Sequence, residues 1–474
     1  MEFSVEQQIA FNKYIQGQNI FITGPGGTGK SALIKYIKQN AESRYKSIQV
    51  CALTGCASVL LECKAKTLHS WSGIGLGKGS IEQLIKKVQK NTNYKALWKE
   101  TDILVVDEVS MMSLKLFETL DAIGKSVRKD RRPFGGLQLI FSGDFYQLPP
   151  VGDKDDPDTS KFCFESEFWF TTFAKQNHIQ LQKIFRQNDP IYQNILNQVR
   201  EGRLKRSTND ILLSQVDRPK DDTLTIKPTK LYPTRNKVDS INTSEMDKLE
   251  GDEREFKLKY HCDLEMTAKE RLQRTQITPE QIKLELQYLK GNLRCDEIIK
   301  LKVGSQVMCI VNTELANGEM LCNGSQGIVI RFSQEGSPVI RFSRSGKTSS
   351  FEVTMNYHIW PSENIPGVGV SQLPLILAWA LTIHKAQGAT LDVAEIDAGS
   401  SIFECGQTYV ALSRVKSLEG LYLTSYDAKK IRINKKVQEF YTGLLNEVKN
   451  ENELIVKNEL IVKGDETTKI INLK

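Results

Sequence analysis

The sequence predicts an α/β fold with parallel sheets, on three observations. Four near-continuous apolar runs of strand length, "NIFIT", "IQVCAL", "ILVVD" and "LQLIF", lie between residues 19 and 141. Strands covered by helices on both faces read this way, whereas half-solvated strands alternate. Between them, "KSALIKYIKQ" and "SLKLFETLDAIGKSV" place apolar residues at i, i+3, i+4 and i+7, the spacing of an amphipathic helix. The same alternation returns at 373–425, with "VAEIDA" and "GLYLTS" as strands.

Taken in chain order, "MEFSVEQQIAFNKYI" opens as an amphipathic helix carrying two acids, and is neither a secretory leader nor an Arg-rich transit peptide. The first α/β half follows, to about residue 186. Residues 187–304 are more polar, and "TAKERLQRTQITPEQIKLELQYLKGN" within them reads as charged helix with a solvated face. Residues 305–356 change character. "QVMCIV", "QGIVIRF", "PVIRFS" and "SFEVTM" are short strands separated by "NGS", "QEGS" and "RSGK" turns, which predicts a small all-β insert. Residues 357–445 resume the second α/β half, and 446–474 form a tail with the direct repeat "NELIVKNELIVK" at 452–463, read as a duplicated helix end or an extension.

A length of 474 residues suggests about three domains. With 40% hydrophobic and 26% charged residues the composition is that of an ordinary globular protein. The longest apolar run, "LPLILAWALTI", is too short to span a bilayer, so a soluble, intracellular protein is expected. A net charge of +7 permits a nucleic-acid partner without arguing for one. Nine cysteines include no Cys-x-x-Cys, and Cys51, Cys56 and Cys63 read as buried thiols in a reducing compartment.

The chemistry sits in a few short stretches. "GPGGTGKS", residues 24–31, fits Gly-x4-Gly-Lys-Ser directly after a strand and before a helix. Its glycines (Gly24, Gly26, Gly27, Gly29), with Pro25 and Thr28, let backbone N–H groups converge on phosphate oxygens, and the helix N-terminus adds partial positive charge. Lys30 would reach the β- and γ-phosphates of a nucleoside triphosphate and the Ser31 hydroxyl would bind Mg²⁺, a pattern shared by kinases, GTPases, ring ATPases and helicases. "ILVVDEVSMM" supplies the partner acids: Asp107 to hold the Mg²⁺ and Glu108 to deprotonate the attacking water. Hydrolysis also needs positive charge on the γ-phosphate, and Arg186 in "LQKIFRQND" and Arg414 in "YVALSRVKS" are the two candidates. "GDFYQLPP" forms a stiff polar lip after a strand. Its Gln147 can donate to phosphate and accept from a neighbour at once, which suits a γ-phosphate sensor, with Phe145 and Tyr146 passing that state onward.

The order of segments resembles the PIF (petite integration frequency) helicases, superfamily-one type-B enzymes related to the RecD type. The matching stretches are "SVEQQ", "GPGGTGKS", "ALTGCASVLL", "TLHSWSGIGLGKG", "VVDEVSMM", "LFETLDAIGKSVRKDRRPFGGLQLI", "GDFYQLPPV", "LQKIFRQ", "LYPTRNKVDSIN", "LKVGSQVM", "LCNGSQGIV", "LAWALTIHKAQGATLD" and "TYVALSRVKSLEGLYL", across residues 4–425. The resemblance implies two RecA-like lobes, 1–186 and 187–445, with ATP between them and single-stranded DNA across their top. It implies a β-barrel at 305–356, a duplex-splitting wedge at 70–91, adenine recognition by Gln7, and Gly388 at the nucleotide. Thr54, His69, Asn236, His384 and Lys385 fall in segments used along the DNA track. Residues 245–295 match no family segment.

Residue chemistry supports part of this. Bases want flat partners, and His69, Trp71, Phe145, Tyr146 and His384 are flat candidates, while Trp379 reads as core. His178, His261 and His358 have no motif around them. The expected function is an ATP-dependent 5′-to-3′ DNA helicase, monomeric by default, acting on single-stranded and forked DNA in replication, repair, recombination or telomere maintenance. G-quadruplexes and RNA–DNA hybrids are further candidate substrates. The rival is a DNA-dependent NTPase that translocates or remodels without separating strands. A small-molecule P-loop kinase fails on Arg414 and on the second lobe.

Overall fold

Two parallel sheets carry the chain in the computed structural model, which describes residues 3–444 apart from 55–56, 59–60, 62, 64, 76, 221–225, 316–319, 344–349 and 363. The repeat at 452–463 lies outside the described residues. In the first sheet β1 (Ile20–Thr23), β2 (Ile48–Ala52), β3 (Lys66–Thr67), β4 (Ile103–Asp107), β5 (Gln138–Gly143) and β6 (His178–Gln180) pair in the order β3-β2-β4-β5-β1-β6. All these pairs are parallel. Every residue of β1 and β4 is buried, as their unbroken apolar sequence requires. The order sets the C-terminal ends of β4, β5 and β1 side by side; the connection from β1 to β2 runs towards one edge of the sheet, and that from β5 to β6 crosses β1 towards the other. Ligands gather at such a switch point in α/β sheets. Helix α1 (Val5–Ile15) begins with a capping box in which Ser4 and Gln7 satisfy each other's backbone N–H, and α2 (Lys30–Ser43) follows β1.

The second parallel sheet joins Ala380–Thr382, β7 (Thr229–Tyr232), Ala394–Ala398 and Leu421–Tyr426, in that order. The four expected insert strands form an antiparallel sheet, Ser350–Thr354, Pro338–Ser343, Gln326–Phe332 and Gln306–Cys309. A fifth strand, Leu375–Leu377, joins from beyond the expected 305–356. Among the described residues no pairing joins the two edge strands of this sheet into a barrel. The unassigned stretch 245–295 folds onto this region: Arg254–Lys257 pairs with Ile298–Leu301, and Lys259–His261 pairs with Gly369–Gln372. Residues 435–444, expected to complete the second lobe, return to the first. Phe440 stacks on Phe164 at 4.4 Å and Tyr441 on Tyr146 at 4.7 Å. Two adjacent aromatics gain more by joining the buried Phe145, Phe162 and Trp169 than by staying on a charged surface.

Candidate nucleotide and nucleic-acid site

The turn after β1 needs its glycines. Gly24 has φ 143°, and a Cβ there would lie 2.4 Å from the Leu181 carbonyl oxygen; Gly27 has φ 86°, and a Cβ would meet Arg186 Cβ at 2.6 Å. A side chain at either position would push the loop off the irregular segment that follows β6. Lys30 Nζ donates to the carbonyl oxygens of Gly24 (2.7 Å) and Pro25 (2.9 Å), and Thr28 Oγ1 donates to Pro25 O at 2.9 Å. Burial lowers the proton affinity of Lys30, and Asp144, Glu108 and Asp107 oppose that shift. Gln7 is 3% exposed: its Oε1 accepts from Ser4 N and its Nε2 donates to Thr28 O at 3.3 Å, so it braces the loop from behind.

Burial raises the pKa of Asp107, which ends β4, and the neighbouring Ser142 and Ser31 hydroxyls and Lys30 oppose that rise. A carboxylate and a hydroxyl beside a phosphate loop are the hard oxygen donors a Mg²⁺ ion takes, the nucleotide supplying the rest. Among the described residues no cluster of three or more metal-ligating side chains offers an all-protein cage. Glu108 has φ 57°, a strained conformation for a non-glycine residue and one found at functional sites. Burial, and then the neighbouring Asp107, push its pKa up to about 7. Gln387, following the Ala380–Thr382 strand of the other sheet, donates from Nε2 to Glu108 Oε2 at 3.2 Å.

Two arginines face the loop from the other side. A Cβ on Gly26 would lie 3.4 Å from Arg414 Nη2 and 3.5 Å from Arg186 Nη1. Arg414 is 3% exposed and held by Val410 O at 2.9 Å and Ser413 Oγ at 2.7 Å. Arg186 Nη1 donates to Ser413 O at 3.2 Å. Burial and the adjacent Arg186 bring the Arg414 pKa down to about 9, a pairing of like charges that a polyphosphate would relieve. Tyr409, one helical turn before Arg414, accepts from Gly26 N at 2.9 Å. The lip after β5 meets the same element. A Cβ on Gly406 would lie 2.5 Å from Gln147 O, so the "YQ" backbone packs directly on the start of the Gln407–Leu412 helix.

These groups line a cleft of about 990 Å³ between the two sheets. Gly26, Gly27, Thr28, Gly29, Lys30, Ser31, Asp107, Glu108, Gln147, Arg186, Gly388 and Arg414 all reach it, as do Thr54, His384 and Lys385, expected on the DNA track. Asn236 stands apart, exposed in the first turn of the Arg235–Asp247 helix after β7, and His69 lies half-buried in the Leu68–Ser72 helix after β3. Two expectations are corrected. Phe145 is 2% exposed, packed among Phe21, Phe164 and Phe440, and cannot stack on DNA from there. Trp71 is fully buried against Trp98, ring centroids 4.5 Å apart. In both, the apolar demand of the first-lobe core outweighs the residue's neighbourhood in sequence. Trp379 is core, as read.

Sequence reasoning missed Phe185, Gln387 and Tyr409. Phe185 is 46% exposed, and its ring lies 3.6 Å from where a Cβ on Gly29 would be, so it offers the cleft a flat face. Each is the immediate neighbour, or lies within five residues, of a residue already singled out. A search widened from the charged members of each segment to their flat and amide neighbours would have found them.

The PIF1-like helicase family matches residues 2–210, and the 2B domain of DNA helicase Pif1 matches residues 286–332. The chain is 33% identical to the ATP-dependent DNA helicase RRM3 of Saccharomyces cerevisiae, over 93% of this chain and 67% of that one. A crystal structure of Pif1 helicase from Candida albicans is similar at a TM-score of 0.70 and 34% identity, covering 94% of this chain and all of that one. Pif1 helicase from Bacteroides in complex with ADP-AlF3 and single-stranded DNA is similar at a TM-score of 0.60 and 27% identity, over 94% and 98% of the two chains. The chain spans about two thirds of the length of the curated relatives it matches. With the phosphate loop, the acid pair and the opposing arginines in one cleft, the chain belongs to the PIF1-like helicase family.

Proposed function

We propose that this chain is an ATP-dependent DNA helicase that moves 5′-to-3′ on single-stranded DNA and unwinds forked duplex. The observation that carries the reading is the convergence on one cleft of the phosphate loop and acids of the first sheet with Arg414 and Gln387 of the second. Lys30 and the loop amides hold the phosphates, and Ser31 and Asp107 would hold Mg²⁺, which would draw charge from the β- and γ-phosphates. Glu108 takes the proton of the attacking water. Arg186 and Arg414 bear on the charge that builds as the γ-phosphoryl leaves. Phe185 flanks the base and Gln7 backs the loop beneath it. Because Gln387 and Arg414 come from the second lobe, hydrolysis depends on how the lobes meet, and so on DNA bound along Thr54, His384 and Lys385.

Unwinding by the purified chain on duplexes with a 5′ or a 3′ single-stranded tail tests the reading. Strand separation on the 5′-tailed duplex alone is expected. ATP turnover without separation on either duplex would favour a translocase, and separation from the 3′ tail would reverse the polarity.

Gln147 is 6% exposed, on the cleft wall and at the lobe contact with Gly406. Gln147→Ala is expected to keep ATP and DNA binding but lose roughly five- to tenfold in DNA-stimulated turnover, about the worth of one hydrogen bond. Steady-state ATPase with and without single-stranded DNA checks it. Wild-type stimulation would leave the lip as a turn.

A further inference from the structure

Tyr409 lies in the Gln407–Leu412 helix, shortly before Arg414, and stands behind the wall of the nucleotide cleft rather than on it. It is 3% exposed, and its Oη accepts from Gly26 N at 2.9 Å. Gly26 is the glycine that Arg186 and Arg414 face. This one bond therefore runs from the phosphate loop of the first lobe to the helix that leads into Arg414 in the second.

That helix is pinned at both ends as well. Its start packs on the backbone of the lip, where a Cβ on Gly406 would lie 2.5 Å from Gln147 O and 2.7 Å from Tyr146 O. At its end Leu412 O accepts from the hydroxyl of the fully buried Tyr192 at 2.7 Å. Val410 O and Ser413 Oγ then hold the Arg414 guanidinium, so a displacement of the helix carries Arg414 with it. A phenol suits the place between them. Arg186, Arg200 and Arg414 all lie close enough to feel it. A carboxylate there would pair with those arginines and repel a triphosphate. Burial, and then Asp144, push the Tyr409 pKa up to about 12, so its hydroxyl stays neutral and accepts from the loop without adding charge.

We propose that Tyr409 is a positioning residue for hydrolysis: its bond to Gly26 N sets the distance at which Arg414 meets the γ-phosphate, and so delivers the arginine only when the second lobe is seated on the loop. The inference rests on the helicase reading, in which Arg414 bears on the departing phosphoryl. Loss of the bond leaves the charge of Arg414 in the cleft but lets it shift, and a misplacement of about 1 Å is enough to cost up to roughly 10²-fold in rate.

The test compares ADP with ADP plus aluminium fluoride, which mimics the phosphoryl group in transit, on the full chain with Mg²⁺ and single-stranded DNA present. Tyr409→Phe removes one oxygen and keeps the ring. It should weaken binding of the aluminium fluoride complex roughly five- to tenfold, about the worth of one hydrogen bond, and change ADP affinity by less than about twofold. ATP turnover at saturation should fall by the same factor, with KM unchanged. In an Arg414→Ala background the same substitution should cost nothing further, because Tyr409 acts through Arg414. An equal loss in both backgrounds, or a loss of ADP affinity, would make Tyr409 a support of the loop alone and overturn the proposal, as would wild-type turnover in Tyr409→Phe. If the wild-type chain neither hydrolyses ATP nor binds the aluminium fluoride complex more tightly than ADP, the helicase reading itself fails.

Discussion

Arg414→Ala is expected to lower the ATP turnover number by roughly 10³–10⁵, the range over which arginines supplied to a γ-phosphate act in GTPases. Nucleotide affinity should change far less. The geometry favours a transition-state role over a ground-state clamp. The guanidinium is 3% exposed and fixed by Val410 O and Ser413 Oγ, so it is oriented before the reaction and needs no reorganisation during it. It also sits beside Arg186, and the two together face Gly26. Two guanidiniums in one place are stabilised most when the facing charge is greatest, which is when the phosphoryl oxygens carry the charge of the departing bond. Arg414→Lys keeps the charge but loses the fork that Val410 and Ser413 hold, so its turnover should fall between wild type and alanine. Single-turnover hydrolysis beside equilibrium binding of a non-hydrolysed ATP analogue reads both quantities. If affinity falls and turnover at saturation does not, Arg414 is a ground-state clamp.

Much of this site was legible in the sequence because its chemistry is local. Gly24–Ser31 specify a backbone path within eight residues, and Asp107–Glu108 follow the strand that delivers them. The parallel sheets were legible for the same reason: β1, β4 and β5 each carry an uninterrupted apolar run, "IFI", "ILVV" and "LIF". What escaped depends on contacts distant in sequence. Gln387 is an unremarked amide until the second sheet sets it 3.2 Å from Glu108. Phe145 reads as a flat surface residue beside Asp144, and only its contacts with Phe21, Phe164 and Trp169, and with Phe440 and Tyr441 some 300 positions later, show that it is enclosed. His358 has no motif, and its edge-to-face contact with Trp360, ring centroids 4.7 Å apart, exists only in the folded chain. The return of residues 435–444 to the first lobe is likewise a tertiary event, since helical periodicity says that a helix forms and not where it docks.

Arg200→Ala is expected to destabilise the protein by about 3–5 kcal/mol, the cost of breaking a buried pair from one side. Against a typical total of about 5–15 kcal/mol this is a large fraction. Arg200 grips Asp144 with two bonds, Nε to Oδ2 at 2.9 Å and Nη2 to Oδ1 at 2.8 Å, and the side chains are 3% and 0% exposed. Its guanidinium also lies 4.5 Å from the Tyr146 ring centroid and 5.5 Å from that of Tyr441, and the Tyr441 hydroxyl bonds Thr23 Oγ1 at 2.6 Å. The pair therefore joins the Pro190–Glu201 helix, whose apolar face belongs to the second-lobe core, to the lip after β5 and to the end of β1. Alanine at 200 strands the Asp144 carboxylate in a dry site. Removing both partners removes that charge, so Asp144→Leu with Arg200→Met should cost much less than the two single changes added together. Urea unfolding of the four proteins gives the coupling energy, expected above about 2 kcal/mol for such a pair. A loss under about 1 kcal/mol in Arg200→Ala would place the pair among weak, solvent-screened bridges. Because Asp144 lies three residues before Gln147, the same variant, assayed well below its unfolding midpoint, should also lose DNA stimulation of ATP turnover. A destabilised Arg200→Ala with full stimulation would separate the strength of the joint from the signal that Gln147 carries.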